Sequence, residues 1–382
     1  MSQPGLPPLS LYVHVPWCLK KCPYCDFNSH AVSGELPESE YINNLLADLS
    51  HDLGYVQGRS LESIFIGGGT PSLFSPDAFT ALIEGIQSRI PFEDDIEITL
   101  EANPGTFEIE KFRGFRLAGI NRLSIGIQSF DGGYLQMLGR VHDADEARQA
   151  AGQAMNAGFD NFNFDLMFGL PGQSASEAMS DLDIALSCSP THLSWYQLTI
   201  EPNTVFYSKP PVLPEDDTLA DIQAEGIALL AENGIERYEI SAFSLAGQAS
   251  KHNLNYWQFG DYLGIGAGAH GKITLPAENQ IIRTRKRRQP THYLDACGAD
   301  FSADISRVSS EDLPLEFMMN ALRLKAGSDE ALFAQRTGIP LNNLAEPLAR
   351  LRRKGLLQQD RLAATELGYR HLNSLLDEFL SP

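Results

Sequence analysis

The chain has 382 residues, enough for one large core and a smaller appended domain. Its composition, 43% hydrophobic and 20% charged, is ordinary for a globular protein, and no apolar run approaches the ~20 residues that span a bilayer. A formal net charge of −20 repels phosphate backbones and argues against nucleic acid as a partner.

In chain order, Met1 to Pro8 lack the basic-then-apolar order of a signal peptide, so a cytoplasmic location is expected. Leu9–Val15 is rich in β-formers and predicts a first strand. Tyr41, Leu45, Leu46, Leu49 and Leu53 then recur at helical spacing. Glu62–Ile66 predicts a second strand. Ser75 suits a helix N-cap with Pro76 at the first helical position, and Phe79, Leu82, Ile83, Ile86 and Ile90 give that helix one apolar face. Glu97–Glu101, Arg122–Gln128, Asn161–Phe168 and His192–Ile200 predict four more strands, separated by helical segments. Such alternation implies a parallel sheet flanked by helices.

A weak repeat supports that reading. Ala118-Gly119-Ile120-Asn121-Arg122-Leu123, Ala157-Gly158-Phe159-Asp160-Asn161-Phe162 and Asn233-Gly234-Ile235-Glu236-Arg237-Tyr238 each place a Gly where a helix ends and a strand follows. Six or more units predict an α/β fold, a complete or partial (β/α) barrel over residues 1–290, with an open doubly wound sheet as the alternative. From residue 291 to 382 the pattern changes. Leu315–Leu324, Ser328–Thr337 and Pro347–Lys354 read as helices, and the stretch through Gly355 and Gly368 reads as a hairpin and a last helix. This end resembles a winged helix, for which the chain's acidity favours a structural or protein-contact role. The basic run Arg283, Arg285, Lys286, Arg287, Arg288 reads as a solvated loop, or else as a patch for anionic groups such as propionates or lipid head groups.

The strongest chemical signal follows the first strand: Cys18-Leu19-Lys20-Lys21-Cys22-Pro23-Tyr24-Cys25. Three thiolates on one loop can hold three irons of a [4Fe–4S] cluster and leave the fourth iron open to a small molecule. In radical S-adenosylmethionine (SAM) chemistry the amino and carboxylate groups of SAM fill that place, and an electron from the cluster cleaves the sulfonium C–S bond to give a 5′-deoxyadenosyl radical. The competitor is zinc, with His14 or His30 as fourth ligand, but no second cysteine pair exists. Cys188 and Cys297 stand alone and read as buried small apolar residues.

Gly67-Gly68-Gly69-Thr70-Pro71 ends the second strand. Bare backbone there admits a ligand closely, and its place one β–α unit after the cysteines suits the methionyl end of SAM. Glu101, Gln128 and Asp165 recur at later strand ends, where barrel ligands collect, and suit ribose hydroxyls. Arg140 lies off the strands and suits a carboxylate, against the plain reading of a surface arginine.

The cysteine loop, the Gly-Gly-Gly-Thr-Pro turn, Glu101-Ala102-Asn103-Pro104, Ile127-Gln128-Ser129-Phe130 and Asp165-Leu166-Met167-Phe168-Gly169-Leu170-Pro171-Gly172 together resemble the oxygen-independent coproporphyrinogen III oxidases and their radical SAM relatives. The resemblance covers nearly the whole chain. It implies cluster ligation by Cys18, Cys22 and Cys25, and SAM contacts at Tyr12, Tyr24, Gly68, Gly69, Thr70, Glu101, Gln128, Arg140 and Asp165. It also implies a partial (β/α) barrel of the radical SAM type. Two departures weigh against oxidase activity: Phe27 stands where those enzymes carry a further cysteine, and the cluster loop arrives by residue 18 without their longer N-terminal extension.

His252-Asn253-Leu254-Asn255-Tyr256-Trp257 resembles the His-Asn-x-x-Tyr-Trp signature of the sister group, the HemW-type haem chaperones. That likeness implies haem as cargo, with His252 as a candidate axial ligand and Tyr and Trp to stack on the porphyrin. A packed, hydrogen-bonded histidine is the plain alternative. His270, in the glycine-rich stretch 264–271, is a second candidate, though that stretch reads as the barrel mouth. The expected partners are a haem donor or haem-accepting respiratory proteins. A homodimer and a peripheral contact with the inner membrane stay open. The competing functions are a coproporphyrinogen III dehydrogenase that decarboxylates propionates, and a radical SAM enzyme on an unrelated substrate.

Overall fold

A computed structural model describes residues 3–104 and 109–380. Six strands run parallel and side by side in chain order: β1 (Leu9–Val15), β2 (Leu61–Gly68), β3 (Phe92–Ala102), β4 (Arg122–Gln128), β5 (Phe162–Phe168) and β6 (His192–Gln197). Helices α1 (Glu38–Asp52), α2 (Pro76–Gln87), α3 (Ile109–Leu117), α4 (Ala144–Asn156) and α5 (Ala175–Ser187) make the crossovers. Parallel strands joined this way are covered on both faces, which is why β4 is buried at every position. After β6 comes α6 (Asp216–Glu232). The short β7 (Glu236–Arg237) and β8 (Ala242–Ser244) then close one edge in antiparallel fashion.

The chain then crosses to the opposite side of the sheet. Helix α7 (Lys251–Trp257) leads into β9 (Asp261–Ile265), which lies parallel to β1. Antiparallel β10 (His270–Leu275), β11 (Gln280–Lys286) and β12 (Ser302–Arg307) extend that edge. Strands β7 and β12 end the sheet without pairing to each other, so the barrel is partial.

Local signals account for the element starts. Ser75 Oγ accepts the Ala78 N–H at 3.3 Å, with Pro76 opening α2, and Phe79, Leu82 and Ile86 are fully buried. Gly119, Gly158 and Gly234 all take positive φ where their helices end. Strand β3 begins five residues before the predicted Glu97. Glu93, Asp94 and Asp95 are poor strand formers, and they bulge out of the ladder: Leu61 pairs with Phe92 and the next pair is Ser63 with Glu97.

The C-terminal part holds α8 (Leu313–Ala321), α9 (Glu330–Thr337) and α10 (Ala345–Arg353), with bridges Ser328 to Leu362 and Leu357 to Ala364 forming a small wing. Its own core includes Phe317, Met318, Phe333, Leu351 and Leu375, and draws in Phe259 and Ile281 from the sheet side. Tyr293 and Phe301 pack with the barrel core. Cys188 is half-buried at the end of α5, whereas Cys297 is exposed, contrary to the expectation of a buried thiol.

The basic run is a loop only at Arg287 and Arg288. Arg283, Arg285 and Lys286 lie on β11, and the Lys286 side chain is wholly buried, its Nζ 2.6 Å from both Asp48 and Asp52 of α1. Alternation along a strand sends Lys286 inward and Arg285 outward. Removing one member of a buried ion group leaves the others uncompensated. Lys286→Met should therefore lower unfolding free energy by about 3–5 kcal/mol in chemical denaturation; a loss near zero would mean that Asp48 and Asp52 are neutral or solvated.

Candidate functional site

Trp17–Cys18 pairs with His30–Ala31 just beyond β1, so the cysteine loop is pinned at both ends. Cys18 is buried, Cys22 and Cys25 are half-buried, and all three are free thiols. Burial, then the neighbouring Cys25 and Cys22, push the Cys18 thiol up. The Cys22 sulfur lies 3.7 Å from Arg140 Nη1, and Cys25 lies 3.4 Å from Ser29 Oγ. Among the described residues no three His, Cys, Asp or Glu converge on a point as a single ion requires. A cluster takes one thiolate per iron, so three thiols spaced along a loop meet its demand. His14 is committed elsewhere, Nδ1 to the Tyr12 hydroxyl at 2.8 Å and Nε2 to the Asn28 carbonyl at 2.9 Å. His30 faces Asn28 Oδ1.

The end of β2 turns against the end of β1. A Cβ on Gly68, at φ +125°, would sit 2.8 Å from the Val15 carbonyl oxygen, and one on Gly69 would sit 2.4 Å from that of Trp17. Only glycine permits this approach. The Gly68 N–H donates to Glu101 Oε2 at 3.0 Å. Thr70 Oγ1 accepts from Asn103 Nδ2, whose Oδ1 in turn accepts from Arg140 Nη2 at 2.6 Å. Arg140 also donates to the Gly126 carbonyl. Gln128 ends β4 at φ +70°, a strained value for its type, and its Oε1 accepts from the Tyr196 hydroxyl at 2.9 Å. Asp165 accepts from Ser124 Oγ and Asn163 Nδ2.

These groups line one cavity of about 260 Å³: the three cysteines with Tyr24, Gly68, Gly69, Thr70, Glu101, Gln128, Arg140 and Asp165. Asn103, Ser124 and Tyr196 also face it and carry no obvious sequence signal. Parity offers one, since Ser124, Gly126 and Gln128 alternate onto one face of β4. Arg140 Nε is buried without a hydrogen-bond partner, an orphan donor that a bound carboxylate would satisfy. The residues thus fit a cluster and an amino-acid-bearing nucleoside: thiols for iron, a guanidinium for carboxylate, and carboxyl groups for hydroxyls.

Tyr12 does not join them. It lines a second cavity of about 690 Å³, together with His14, Phe65, His252, Tyr256, Tyr262, His270, Arg285 and Arg288. Phe27, Gly68 and Glu101 form part of both walls. The His252 ring stands 5.2 Å from the Phe65 ring and 6.5 Å from that of Tyr12. Burial, then the Arg122 charge, drop its pKa to about 4, so the imidazole is neutral near pH 7. A hydrogen-bond chain assigns its tautomer. Ser63 Oγ donates to Ser10 Oγ at 2.8 Å, so its one proton is committed and it can only accept from His252 Nδ1, 3.2 Å away. Asn255 Nδ2 also donates to Ser10 Oγ. Nδ1 therefore carries the proton and Nε2 keeps a lone pair.

Burial, then Asp165, raise Glu101 to about 8, against the lowering by the Gly68 N–H. The folded value lies above the ordinary 4.5, so the protonated group stabilises the cofactor-free protein fully below about pH 4.5, and that contribution is lost as pH rises through about 8. Glu101→Gln should flatten the fall in melting temperature between about pH 4.5 and 8 by on the order of a few degrees. Parallel curves for variant and wild type would show that ionisation there costs nothing.

The radical SAM superfamily model matches residues 12–185, and the HemN C-terminal domain model matches residues 308–371. The chain is 50% identical to the heme chaperone HemW of Escherichia coli over 378 residues, 98% of this chain and 99% of that one. It is 36% identical to the heme chaperone HemW of Bacillus subtilis, over 93% and 94% of the two chains. The radical S-adenosyl methionine domain-containing protein 1, mitochondrial, of Bos taurus is 40% identical over 71% of this chain and 62% of its own. Among solved structures, the coproporphyrinogen III oxidase HemN of Escherichia coli superposes with a TM-score of 0.81 at 22% identity, covering 98% of this chain and 90% of that one, which shows a shared fold.

Proposed function

This chain belongs to the HemW family of heme chaperones within the radical SAM superfamily, and we propose that it carries haem in the larger cavity, beside a cluster and SAM held in the smaller one. The family takes a [4Fe–4S] cluster and SAM as cofactors and haem as cargo. Cys18, Cys22 and Cys25 would hold the cluster, and Arg140, Glu101, Gln128 and Asp165 the SAM. When bound, that pair supplies one-electron chemistry at the sulfonium. The protein's own groups orient it: Arg140 presents an unpaired Nε–H, Gly68 and Gly69 admit close approach, and Glu101 and Asp165 accept hydroxyls.

One observation carries the haem reading: a neutral imidazole with Nε2 unprotonated, among aromatic rings, in a cavity of about 690 Å³. That volume falls within the ~300–1,000 Å³ usual for small-molecule sites. Phe27 supports carriage over propionate oxidation. The residue is 65% exposed and sits in the wall shared by the two cavities, where the oxidases place a cysteine. The recipients would be haem-dependent respiratory proteins, met in the cytoplasm or at the inner surface of the membrane. No described helix is long and apolar enough to cross a bilayer.

An anaerobic haem titration of reconstituted protein, followed at the Soret band, should reach a stoichiometric end point. His252→Ala should weaken binding about 10-fold or more, since even the loss of an outer hydrogen-bond partner of a metal ligand costs about 10–100-fold. Vinyl products from added coproporphyrinogen III, without specific haem binding, would replace this reading with the oxidase. Ser63→Ala should free His252 to take the other tautomer, with long-range proton–nitrogen NMR of the haem-free protein reporting a proton on Nε2, and should shift the Soret band once haem is added; an unchanged Nδ1–H signal would remove Ser63 from that role. In the smaller cavity, Cys22→Ala should abolish the brown cluster absorption, and its survival would exclude Cys22 as a ligand.

A further inference from the structure

Five cations lie between Arg283 and Arg288, and three are neutralised. Arg283 pairs with Glu316 and donates to the Tyr262 hydroxyl at 2.9 Å. Lys286 is enclosed by Asp48 and Asp52. Arg287 lies 3.7 Å from Asp300 and bonds that residue's carbonyl. Arg285 and Arg288 form no ion pair among the described residues, although acidic residues outnumber lysine and arginine by 49 to 29. Asp304 stands opposite Arg285 in the register of β11 and β12 without reaching it. Arg288 meets only the neutral Asn28 side chain, Nε to Oδ1 at 3.3 Å.

Both unpaired guanidiniums line the larger cavity. Arg285 is the register partner of His270, so the two side chains share one face of the sheet. Asn28 donates to the carbonyls of Ala267 and Arg288, tying the cysteine loop to this wall. Glu101 is the sole acidic residue among those that line the cavity, and it is bonded to Gly68 and shifted toward its neutral form. The cavity therefore combines aromatic walls, the free imidazole nitrogen of His252 beside the His270 ring, and two uncompensated positive charges. Its complement is a flat apolar ligand with carboxylates on one edge. A guanidinium fork matches a carboxylate in geometry as well as charge.

We propose that Arg285 and Arg288 form a carboxylate-binding subsite that takes the two propionates of the bound tetrapyrrole and so sets which edge of the macrocycle enters toward His252. This rests on the reading of the larger cavity as the haem site. It implies that the ligand class is a porphyrin with free propionates, and that a porphyrin with capped carboxylates is discriminated against.

The test compares haem with haem dimethyl ester, which keeps iron and macrocycle but carries no carboxylate charge. Wild type, Arg285→Ala, Arg288→Ala and the double variant Arg285→Ala/Arg288→Ala are titrated with each ligand at low and high salt. Wild type should bind haem about 10–100-fold more tightly than the diester, the range for one or two charge-assisted bonds. In the double variant haem affinity should fall to that of the diester, while diester affinity stays at the wild-type value. Salt should weaken only the wild type's haem binding. Equal affinity of wild type for the two ligands, or a double variant that loses both equally, would overturn the subsite while leaving haem in the cavity. Wild type that binds neither ligand would instead remove the haem reading itself, and the subsite with it.

Discussion

The site depends on one close approach of backbone to backbone. The Gly69 N–H donates to the Val15 carbonyl at 2.8 Å, and the Thr70 N–H donates to that of Trp17 at 2.7 Å, so the β1–β2 ladder continues past the formal strand ends. Side chains at Gly68 or Gly69 would force these carbonyls apart. Because the ladder holds, the cysteine loop that leaves β1 stands directly over the turn that leaves β2. Gly68 then offers its N–H to Glu101, which brings the end of β3 into the same place. Gly68 and Glu101 belong to the walls of both cavities. A single backbone contact thus sets the separation between a polar, thiol-bearing cavity and an aromatic one.

The charges follow a second constraint. A chain with a net charge of −20 keeps the carboxyl groups of the smaller cavity half-buried and its cations scarce. Glu101 and Asp165 are held in the interior, where burial shifts both toward the protonated form. The cations are divided between structure and site. Lys286 is consumed by Asp48 and Asp52, Lys272 by Asp261, and Arg140 reaches across the smaller cavity to Asn103 and Gly126. Arg285, one residue from Lys286, points the other way and keeps its charge for the larger cavity.

Much of this was legible in the chain. The six parallel strands each hold a core of apolar or β-forming residues, a local property that needs no tertiary knowledge, and β1 and β4 match their predicted bounds. The thiol spacing is equally local. The strand-end residues Glu101, Gln128 and Asp165 converge because parallel strands present equivalent ends to one side, a rule of the fold class. Tyr12 was harder. Its place on β1 suits either cavity, and only the folded arrangement puts it in the wall of the larger one, its ring 6.5 Å from that of His252.

The sequence by itself determined the fold class, the cysteine loop and the strand-end polar groups, since each arises from residues within one β–α unit. Only the tertiary structure decided that the strand-end residues and the histidines line separate cavities and which His252 nitrogen is free. His252 takes its orientation from Ser63, 189 residues away, and Ser63 in turn from Ser10, 53 residues away. The fates of Lys286 and Arg285 rest likewise on α1 and on β10, brought beside β11 by the sheet. Spacing along a chain carries no information about partners so distant, because their meeting is set by strand order and register, which emerge only when the whole sheet has formed.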